Sequence, residues 1–226
     1  MLLHIPNVLN RNDLEHVHGL LGKARFVDGK LSAGMAAKRV KNNQEVAREE
    51  TQLLQQLNNV VMGRLVQHPI YLNAALPLRI ATPFYARYGQ GMTYGDHVDD
   101  PVMGPGPGQQ YRSDLSITVF LNDPGDYEGG ELVVRTSFGD RSIKLPAGDA
   151  IMYPSSSIHH VAEITSGERV VAVTWLQSMI RDPQKRELLY ELNQAREQLL
   201  KSAPEAAETK QVDRSYVNLV RMWSEV

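Results

Sequence analysis

The sequence predicts a mainly β protein in which a barrel or sandwich core is flanked by helices at both ends of the chain. Between Leu76 and Met179, short runs rich in Val, Ile, Thr and Tyr alternate with Gly, Pro and Asp. Before and after this region, apolar residues recur at helical spacing instead. The chain has 226 residues, of which 42% are hydrophobic, and this supports one sizeable core.

Two helices are predicted ahead of the β region. Asn10 or Asn12 can cap the first, whose apolar positions are Leu14, Val17 and Leu21. The second runs from Glu45 to about Gln67 and has one apolar face, formed by Leu53, Leu54, Leu57, Val60, Val61 and Leu65. We therefore expect the first quarter of the chain to be helical.

Six runs in the β region are predicted as strands, because each combines β-branched or aromatic residues with flanking turn residues. They are LRIATPFYARY, SDLSITVFLND, GELVVRT, RSIKLP, DAIMYPS and ERVVAVTWLQS. Between the first two lies DDPVMGPGPGQQYRSD (99–114), where the density of Gly and Pro predicts a loop. The acidic run NDPGDYEGGEL lacks the ligand spacing of an EF-hand and is predicted to be a hairpin turn.

The helical period returns after the β region. Asp182 is the expected cap and Pro183 the first residue of a helix with a buried stripe of Leu188, Leu189, Leu192, Ala195 and Leu199. A polar connection, KSAPEAAETKQ, precedes a last short helix with one face formed by Tyr216, Leu219, Val220 and Trp223. These patterns predict a domain at 1–179, with its β core at about 76–179, and a C-terminal helical extension at 180–226. The extension either packs on its own core or forms a homodimer.

Composition excludes several classes of function. The net charge of −2 shows no basic surplus, so nucleic-acid binding is not expected. The absence of cysteine excludes disulfides, thiolate ligands and a cysteine nucleophile, so a transition-metal site must use His, Asp and Glu. No run approaches the roughly 18 apolar residues that a membrane span needs, and the N-terminus shows no cationic leader. We expect a cytoplasmic protein.

The first candidate metal-binding motif is His97-Val98-Asp99, within TYGDHVDDP. One imidazole and one carboxylate two residues apart share a face of an extended backbone, but they cannot hold a metal alone. Taken by itself, the motif is better explained as a polar turn. Two later features change this interpretation. The adjacent residues His159 and His160 follow a strand and three serines, and Arg169 opens the apolar strand VVAVTWL, where a cation is costly unless an anion meets it.

His97, Asp99, His159 and Arg169 form a chemically complete set. Two His and one carboxylate on one face of a metal constitute the facial triad of non-haem Fe(II) oxygenases, which leaves three positions open. A keto acid fills two of these positions through its 1-carboxylate and 2-oxo oxygen, and O2 takes the third. The guanidinium of Arg169 is a rigid fork that can bind the far carboxylate of the keto acid.

Four longer stretches around these residues carry a resemblance to a known family. They are RYGQGMTYGDHVDDPVM, RSDLSITVFLNDPGDYEGGEL, GDAIMYPSSSIHHV and TSGERVVAVTWLQS. Over essentially its whole length the chain resembles the Fe(II)- and 2-oxoglutarate-dependent dioxygenases of the prolyl 4-hydroxylase type, and among them the bacterial PKHD-type hydroxylases associated with iron uptake. The resemblance implies a double-stranded β-helix (jelly-roll) core with N-terminal supporting helices and a C-terminal helical extension.

The resemblance also implies roles for single residues. The family's His-x-Asp falls on His97 and Asp99, its distal histidine on His159, and its 2-oxoglutarate-binding basic residue on Arg169, where many animal prolyl hydroxylases have lysine. A buried strand tyrosine is more often a packing residue, but Tyr88 stands where the family often places a hydroxyl against the 2-oxoglutarate carboxylate, and we assign it that role. The implied cofactors are Fe(II), 2-oxoglutarate as cosubstrate, O2 and L-ascorbate.

Three assignments stay open between a role in the site and a structural one. His160, next in sequence to the chosen ligand, must face the opposite side of an extended strand and is expected in a supporting or surface position. Thr118 could donate to the cosubstrate, but a β-branched strand residue needs no such role. The 99–114 loop is either a lid, with Tyr111 or Arg112 contacting substrate, or a mobile surface connection.

The predicted function is that of a hydroxylase, which couples oxidative decarboxylation of 2-oxoglutarate to oxidation of an unidentified substrate. A peptidyl proline or lysine and a siderophore-like small molecule are both consistent with the resemblance. A non-catalytic iron- or siderophore-responsive binding protein could use the same pocket, but it would not need the buried cation of Arg169. A cupin-like hydrolase or isomerase would be expected to have more histidine ligands and a nearby base.

Overall fold

The computed structural model describes residues 1–226. Its helices are α1 (Arg11–Leu21), α2 (Thr51–Leu65), α3 (Pro69–Ala75), α4 (Pro183–Ser202) and α5 (Ala207–Trp223). Four short strands lie in the N-terminal quarter: β1 (Leu3–Ile5), β2 (Phe26–Asp28), β3 (Lys41–Asn42) and β4 (Gln44–Val46). The others are β5 (Pro77–Ile80), β6 (Phe84–Tyr88), β7 (Thr93–His97), β8 (Val102–Met103), β9 (Tyr111–Arg112), β10 (Leu115–Phe120), β11 (Tyr127–Gly129), β12 (Leu132–Thr136), β13 (Gly139–Ile143), β14 (Ala150–Pro154), β15 (His159–Val161), β16 (Ile164–Gly167) and β17 (Arg169–Ser178).

Two antiparallel sheets form a jelly-roll core, as predicted. The larger sheet has the order β1-β14-β10-β17-β6-β4-β2, with β5 also paired to β17. The smaller has the order β13-β12-β15-β7-β3. Val134 and Val161 of the smaller sheet pack with Ile151 and Val171 of the larger in one buried cluster. The short pairs β11-β16 and β8-β9 complete the β structure.

Strand β10 is buried on both faces, and its two faces have different chemistry. Leu115, Ile117 and Val119 belong to the largest apolar cluster, which also contains Val17 of α1 and Leu57 of α2. Because side chains alternate along a strand, the remaining residues of β10 point into the jelly roll, and these are Ser116, Thr118 and Phe120. The N-terminal helices therefore cover one side of the larger sheet, and polar groups lie on the other side.

The prediction that the first quarter is helical was partly wrong. Asn10 caps α1 as expected, and its side chain accepts a hydrogen bond from the Asp13 amide. The second helix begins at Thr51, whereas Glu45 lies in β4 and pairs with Ala86 of β6. Strands of two or three residues are too short to display a period, and their pairing partners lie far away in sequence. The four N-terminal strands were missed for this reason.

The C-terminal extension differs from the sequence prediction in two respects. Asp182 caps α4 and Pro183 is its first residue, as expected. Leu188, however, is 52% exposed, because the buried face of α4 is formed by Arg186, Leu189 and Asn193. Much of the predicted polar connection belongs to α5, which begins at Ala207. The two helices pack with Leu76 and Ile180 in a small apolar cluster. Among all five helices, none combines the length and the hydrophobicity that a membrane span requires.

Two connections also differ from expectation. The acidic run 122–132 contains a turn at Pro124–Asp126, but β11 then pairs with the distant strand β16, so the run does not close a simple hairpin. The Gly- and Pro-rich loop 99–114 contains the hairpin β8-β9, in which Val102 lies opposite Arg112. Hydrogen bonding between backbones thus organises both segments more than their composition indicated.

Candidate metal centre and cosubstrate pocket

The predicted metal ligands come together at the ends of two neighbouring strands. His97 ends β7 and His159 begins β15, and the two residues lie opposite each other in this antiparallel pair. Asp99 follows β7 by two residues. One side-chain donor atom from each of the three residues lies within 4.8 Å of the others. The Nε2 atoms of both histidines are 3.8 Å from the same oxygen, Oδ1 of Asp99.

Backbone carbonyls orient both imidazoles. Nδ1 of His97 lies 2.8 Å from the carbonyl oxygen of Gly95, and Nδ1 of His159 lies 2.9 Å from that of Ser157. A carbonyl can only accept, so each Nδ1–H donates, and Nε2 keeps its lone pair towards Asp99. Metal-binding histidines are commonly held in this way.

The protonation of His97 also fits a metal site. Burial, together with the neighbouring charge of His159, lowers the pKa of His97 to about 4. The ring is therefore neutral at pH 7 and its Nε2 is free to bind, as metal coordination requires. Two imidazole nitrogens and one carboxylate oxygen are a donor set that suits Fe(II).

Aromatic rings enclose the two histidines. The Tyr94 ring stacks on His97 with centroids 3.7 Å apart and an interplanar angle of 12°. The Tyr153 ring meets His159 edge-on at 5.0 Å. The ammonium of Lys41 lies 5.3 Å from the Tyr94 ring centroid and forms a 2.5 Å ion pair with Glu45. These contacts restrict the imidazole orientations, and sequence reasoning assigned none of them.

Arg169 is a buried cation without an anionic partner. The residue is 1% exposed, no carboxylate lies within ion-pair distance, and Nε has no hydrogen-bond partner. The guanidinium carbon lies 5.1 Å from the Tyr88 ring centroid and 5.6 Å from that of Phe120. These rings offset only part of the cost of burying a charge. The arrangement fits an anionic ligand.

Tyr88 lies opposite Arg169 in the pairing of β6 with β17. Burial raises the pKa of Tyr88 to about 12, and the charge of Arg169 opposes this shift. The phenol is thus protonated at pH 7 and can donate a hydrogen bond to the same anion.

One cavity of about 1390 Å³ joins these groups. Alternate residues of β6 and β17 line this cavity, and we call them the cavity floor. The floor begins with Tyr88 and Arg169 at the buried end and extends to Phe84, Val173 and Trp175. Trp175 follows Arg169 by six positions along the strand, or roughly 20 Å. The ring centroids of Phe84 and Trp175 are 5.6 Å apart at the partly exposed end. The cavity therefore extends well beyond the metal centre.

Other predicted residues are distributed as follows. His160 turns away from the cluster, with Nδ1 2.8 Å from a carboxylate oxygen of Asp96. Thr118 is buried in the cavity wall, and Tyr111 also lines the cavity. Arg112 does not line it, contrary to the suggestion that it contacts substrate, because its guanidinium binds Asp114 at 2.6 Å.

Sequence reasoning missed two serines beside the metal centre. Ser116 Oγ lies 2.5 Å from Asp99 Oδ2 and 2.8 Å from Ser155 Oγ. One signal was present in the sequence: Ser116 and Thr118 are polar at alternate positions of an otherwise apolar strand. An inward-facing hydroxyl in such a strand requires a partner.

The sequence matches known protein families and relatives. Residues 83–177 match the family model of the 2OG-Fe(II) oxygenase superfamily, and residues 183–225 match the PKHD-type hydroxylase C-terminal domain. A PKHD-type hydroxylase of Thioalkalivibrio sulfidiphilus is 50% identical over 226 residues, covering 100% of both chains. The PKHD-type hydroxylase YbiX of Shigella dysenteriae is 44% identical with the same coverage.

A solved structure shares the fold. It is a prolyl hydroxylase from Trichoplax adhaerens in complex with a peptide fragment of hypoxia inducible factor. The TM-score is 0.56 at 16% identity, covering 83% of this chain and 86% of that chain. The full-length identity to the curated relatives establishes the family: this chain belongs to the PKHD-type hydroxylases, which are 2-oxoglutarate- and Fe(II)-dependent dioxygenases.

Proposed function

We propose that His97, Asp99 and His159 bind the Fe(II), and that Arg169 and Tyr88 bind the distal carboxylate of 2-oxoglutarate. The observation that carries the second assignment is the uncompensated guanidinium of Arg169 at the buried end of the cavity. A bidentate carboxylate would supply the missing anion, and the Tyr88 hydroxyl would donate to it. The three metal ligands line the same cavity, so the keto acid end of a dicarboxylate held there would share this space with them.

The formal charges support binding of both cofactors together. Of the charged residues that line the cavity, Arg48, Arg79 and Asp100 are exposed to solvent. Among the buried ones, the charge of Lys41 cancels that of Glu45, and Asp99 and Arg169 carry one opposite charge each. Fe(II) and the 2-oxoglutarate dianion also carry equal and opposite charges. The fully loaded site is therefore neutral, whereas either cofactor alone leaves a net charge in a buried space, which is costly.

The iron and 2-oxoglutarate, when bound, supply the oxidising chemistry, in which O2 converts the keto acid to succinate and CO2 while a substrate is oxidised. The protein contributes orientation. His97, Asp99 and His159 would hold the metal through one donor atom each, a set of three ligands that leaves positions for the cosubstrate and O2. Arg169 and Tyr88 fix the far end of the cosubstrate. Aromatic side chains exclude water from the centre, and no side chain is required to transfer a proton.

The substrate is proposed to bind over the partly exposed end of the cavity floor, at Phe84 and Trp175. The cavity of about 1390 Å³ exceeds the roughly 300–1,000 Å³ typical of small-molecule sites, so a bulky molecule can enter beside the cosubstrate. We propose a siderophore-like compound linked to iron uptake, or a side chain of a peptide such as proline or lysine. Mass spectrometry of cell extract incubated with the enzyme separates these, because hydroxylation adds one oxygen to one of the two classes.

The reaction is tested by succinate formation. Purified protein with Fe(II), 2-oxoglutarate and ascorbate is expected to form succinate only when both iron and the keto acid are present. Asp99→Ala should abolish this activity. Asp96→Ala is a matched control, because Asp96 is exposed and contacts His160 outside the site. Full activity of Asp99→Ala would reject the ligand assignment.

We also propose that residues 1–179 form the dioxygenase unit, with the β core at about 76–179, that residues 180–226 form an extension packed on the same chain, and that the protein works in the cytoplasm. The packing of Leu189 with Leu76 and Ile180 supports the proposal that the extension packs on the same chain. Analytical ultracentrifugation measures whether the outer face of the extension also forms a homodimer.

A further inference from the structure

The two carboxylate oxygens of Asp99 have different surroundings. Oδ1 faces the histidines, 3.8 Å from each Nε2 atom. Oδ2 faces the other way and lies 2.5 Å from Ser116 Oγ. A carboxylate can bind a metal through one oxygen or through both. In this chain only Oδ1 is directed to the metal centre, and Oδ2 already has a partner.

The direction of the hydrogen bonds follows from proton counting. An ionised carboxylate only accepts, so the single hydroxyl proton of Ser116 is donated to Asp99. The 2.8 Å contact between Ser116 and Ser155 must then use the proton of Ser155. The order is Ser155 to Ser116 to Asp99, and we call these three residues the serine relay. In addition, the Asp99 amide lies 3.3 Å from the Ser155 carbonyl oxygen and donates to it.

The serine relay is built on rigid elements. Ser116 is 0% exposed within β10, and Ser155 is 2% exposed directly after β14. These strands are adjacent in the larger sheet, where Ser116 lies opposite Tyr153. A hydroxyl in a buried strand position is worth little to packing. Here the two hydroxyls contact each other, and that of Ser116 also contacts Asp99. Their position therefore relates to the carboxylate.

We infer that Ser116, supported by Ser155, is a positioning residue that makes Asp99 a one-oxygen metal ligand. The inference rests on the proposed function, because it assumes that Asp99 binds the metal. By occupying Oδ2, Ser116 prevents the carboxylate from rotating and placing both oxygens on the metal. A second bound oxygen would take one of the positions that the cosubstrate and O2 need. The hydrogen bond also holds Oδ1 in place before metal arrives, which strengthens binding.

The test measures metal binding in the absence of 2-oxoglutarate. Anaerobic titration of Ser116→Ala with Fe(II) is expected to give a Kd about 10- to 100-fold above that of the wild-type protein, the range seen when such supporting hydrogen bonds are removed. Ser116→Thr keeps the hydroxyl and should restore the wild-type Kd. With Co(II) in place of Fe(II), Ser116→Ala should change the visible absorption spectrum, because the second carboxylate oxygen can then bind.

Thr174→Val is the matched control. Thr174 is also buried in the larger sheet, and its Oγ1 donates to the Ala81 carbonyl oxygen at 2.7 Å, on the face of β17 away from the cavity. Its loss removes a buried hydrogen bond without touching Asp99, so the Kd and the Co(II) spectrum should not change. A folded Ser116→Ala protein with wild-type values for both would overturn the inference.

Ser155→Ala covers the case in which Ser116→Ala does not fold. It leaves Ser116 in place but removes the donor that fixes its direction, and a severalfold rise in Kd is expected; a wild-type Kd would count against the relay. Failure of the proposed function has a different result, since the wild-type protein itself would then bind no Fe(II) at the three ligands.

Discussion

His159 lies directly opposite His97 in the antiparallel pairing of β15 with β7, and the centroids of their rings are 4.2 Å apart. The residues are more than sixty positions apart in sequence, yet one backbone pairing places both imidazoles beside Asp99. The metal centre thus depends on the register of two strands.

The first prediction separates the two adjacent histidines. His159→Ala should raise the Kd for Fe(II) by at least about 100-fold, because one of three ligands is lost. His160→Ala should leave the Kd unchanged, because neighbouring strand residues face opposite sides and His160 contacts Asp96. Anaerobic titration of both variants measures this. Equal losses in the two variants would contradict the ligand assignment.

The second prediction concerns Arg169. Arg169→Met should weaken 2-oxoglutarate binding by about 30-fold or more, as expected from losing about 2 kcal/mol or more in a buried charged pair. Without 2-oxoglutarate the same variant should be more stable than the wild-type protein, because the wild-type carries an unpaired buried cation. Thermal unfolding with and without 2-oxoglutarate measures both effects. Arg87 is the control position, because its side chain binds Gln44 at 2.8 Å. Arg87→Met should retain the 2-oxoglutarate-dependent rise in Tm.

The third prediction is a loss of stability of the metal-free protein in acid. The pKa of His97 is about 4 in the folded state, against roughly 6.5 in the unfolded chain. Above pH 6.5 both states are neutral at this residue. As the pH falls from 6.5 to 4, only the unfolded chain takes up the proton, so the free energy of unfolding decreases by roughly 1–3 kcal/mol.

Urea unfolding in the presence of a chelator, between pH 7.5 and 5, measures this loss. His97→Gln removes the titrating group, so its stability should fall less over the same range. Identical pH dependence in the two proteins would show that His97 is not the source.

The fourth prediction tests which face of α4 is buried. Leu189→Ala should lower the free energy of unfolding by about 2–5 kcal/mol, because Leu189 is fully buried against Leu76 and Ile180. Leu188→Ala should change it by no more than about 0.5 kcal/mol, because that side chain is 52% exposed. Chemical denaturation of both variants gives the comparison. A large effect of Leu188→Ala would indicate that its face packs against a second copy of the chain.

Local patterns in the sequence were sufficient for the main elements. Alternating β-branched residues identified strands such as β10 and β17, and capping residues located the starts of α1 at Asn10 and of α4 at Asp182. Each of these signals depends on residues within one element, so it can be read without the rest of the chain. The resemblance to the prolyl 4-hydroxylase type, carried by longer stretches around the His-x-Asp motif, identified His97, Asp99, His159 and Arg169, which the structure places around one cavity.

Only the tertiary structure decided how distant elements meet. It placed Glu45 in a strand beside Ala86, turned Leu188 to solvent, and brought Ser116 to the free oxygen of Asp99. None of these outcomes follows from local periodicity, because each depends on which segments pair and in what register. The chemistry of the candidate site was therefore readable from residue types in the chain, whereas the support that holds those residues in place arises from packing between segments far apart in sequence.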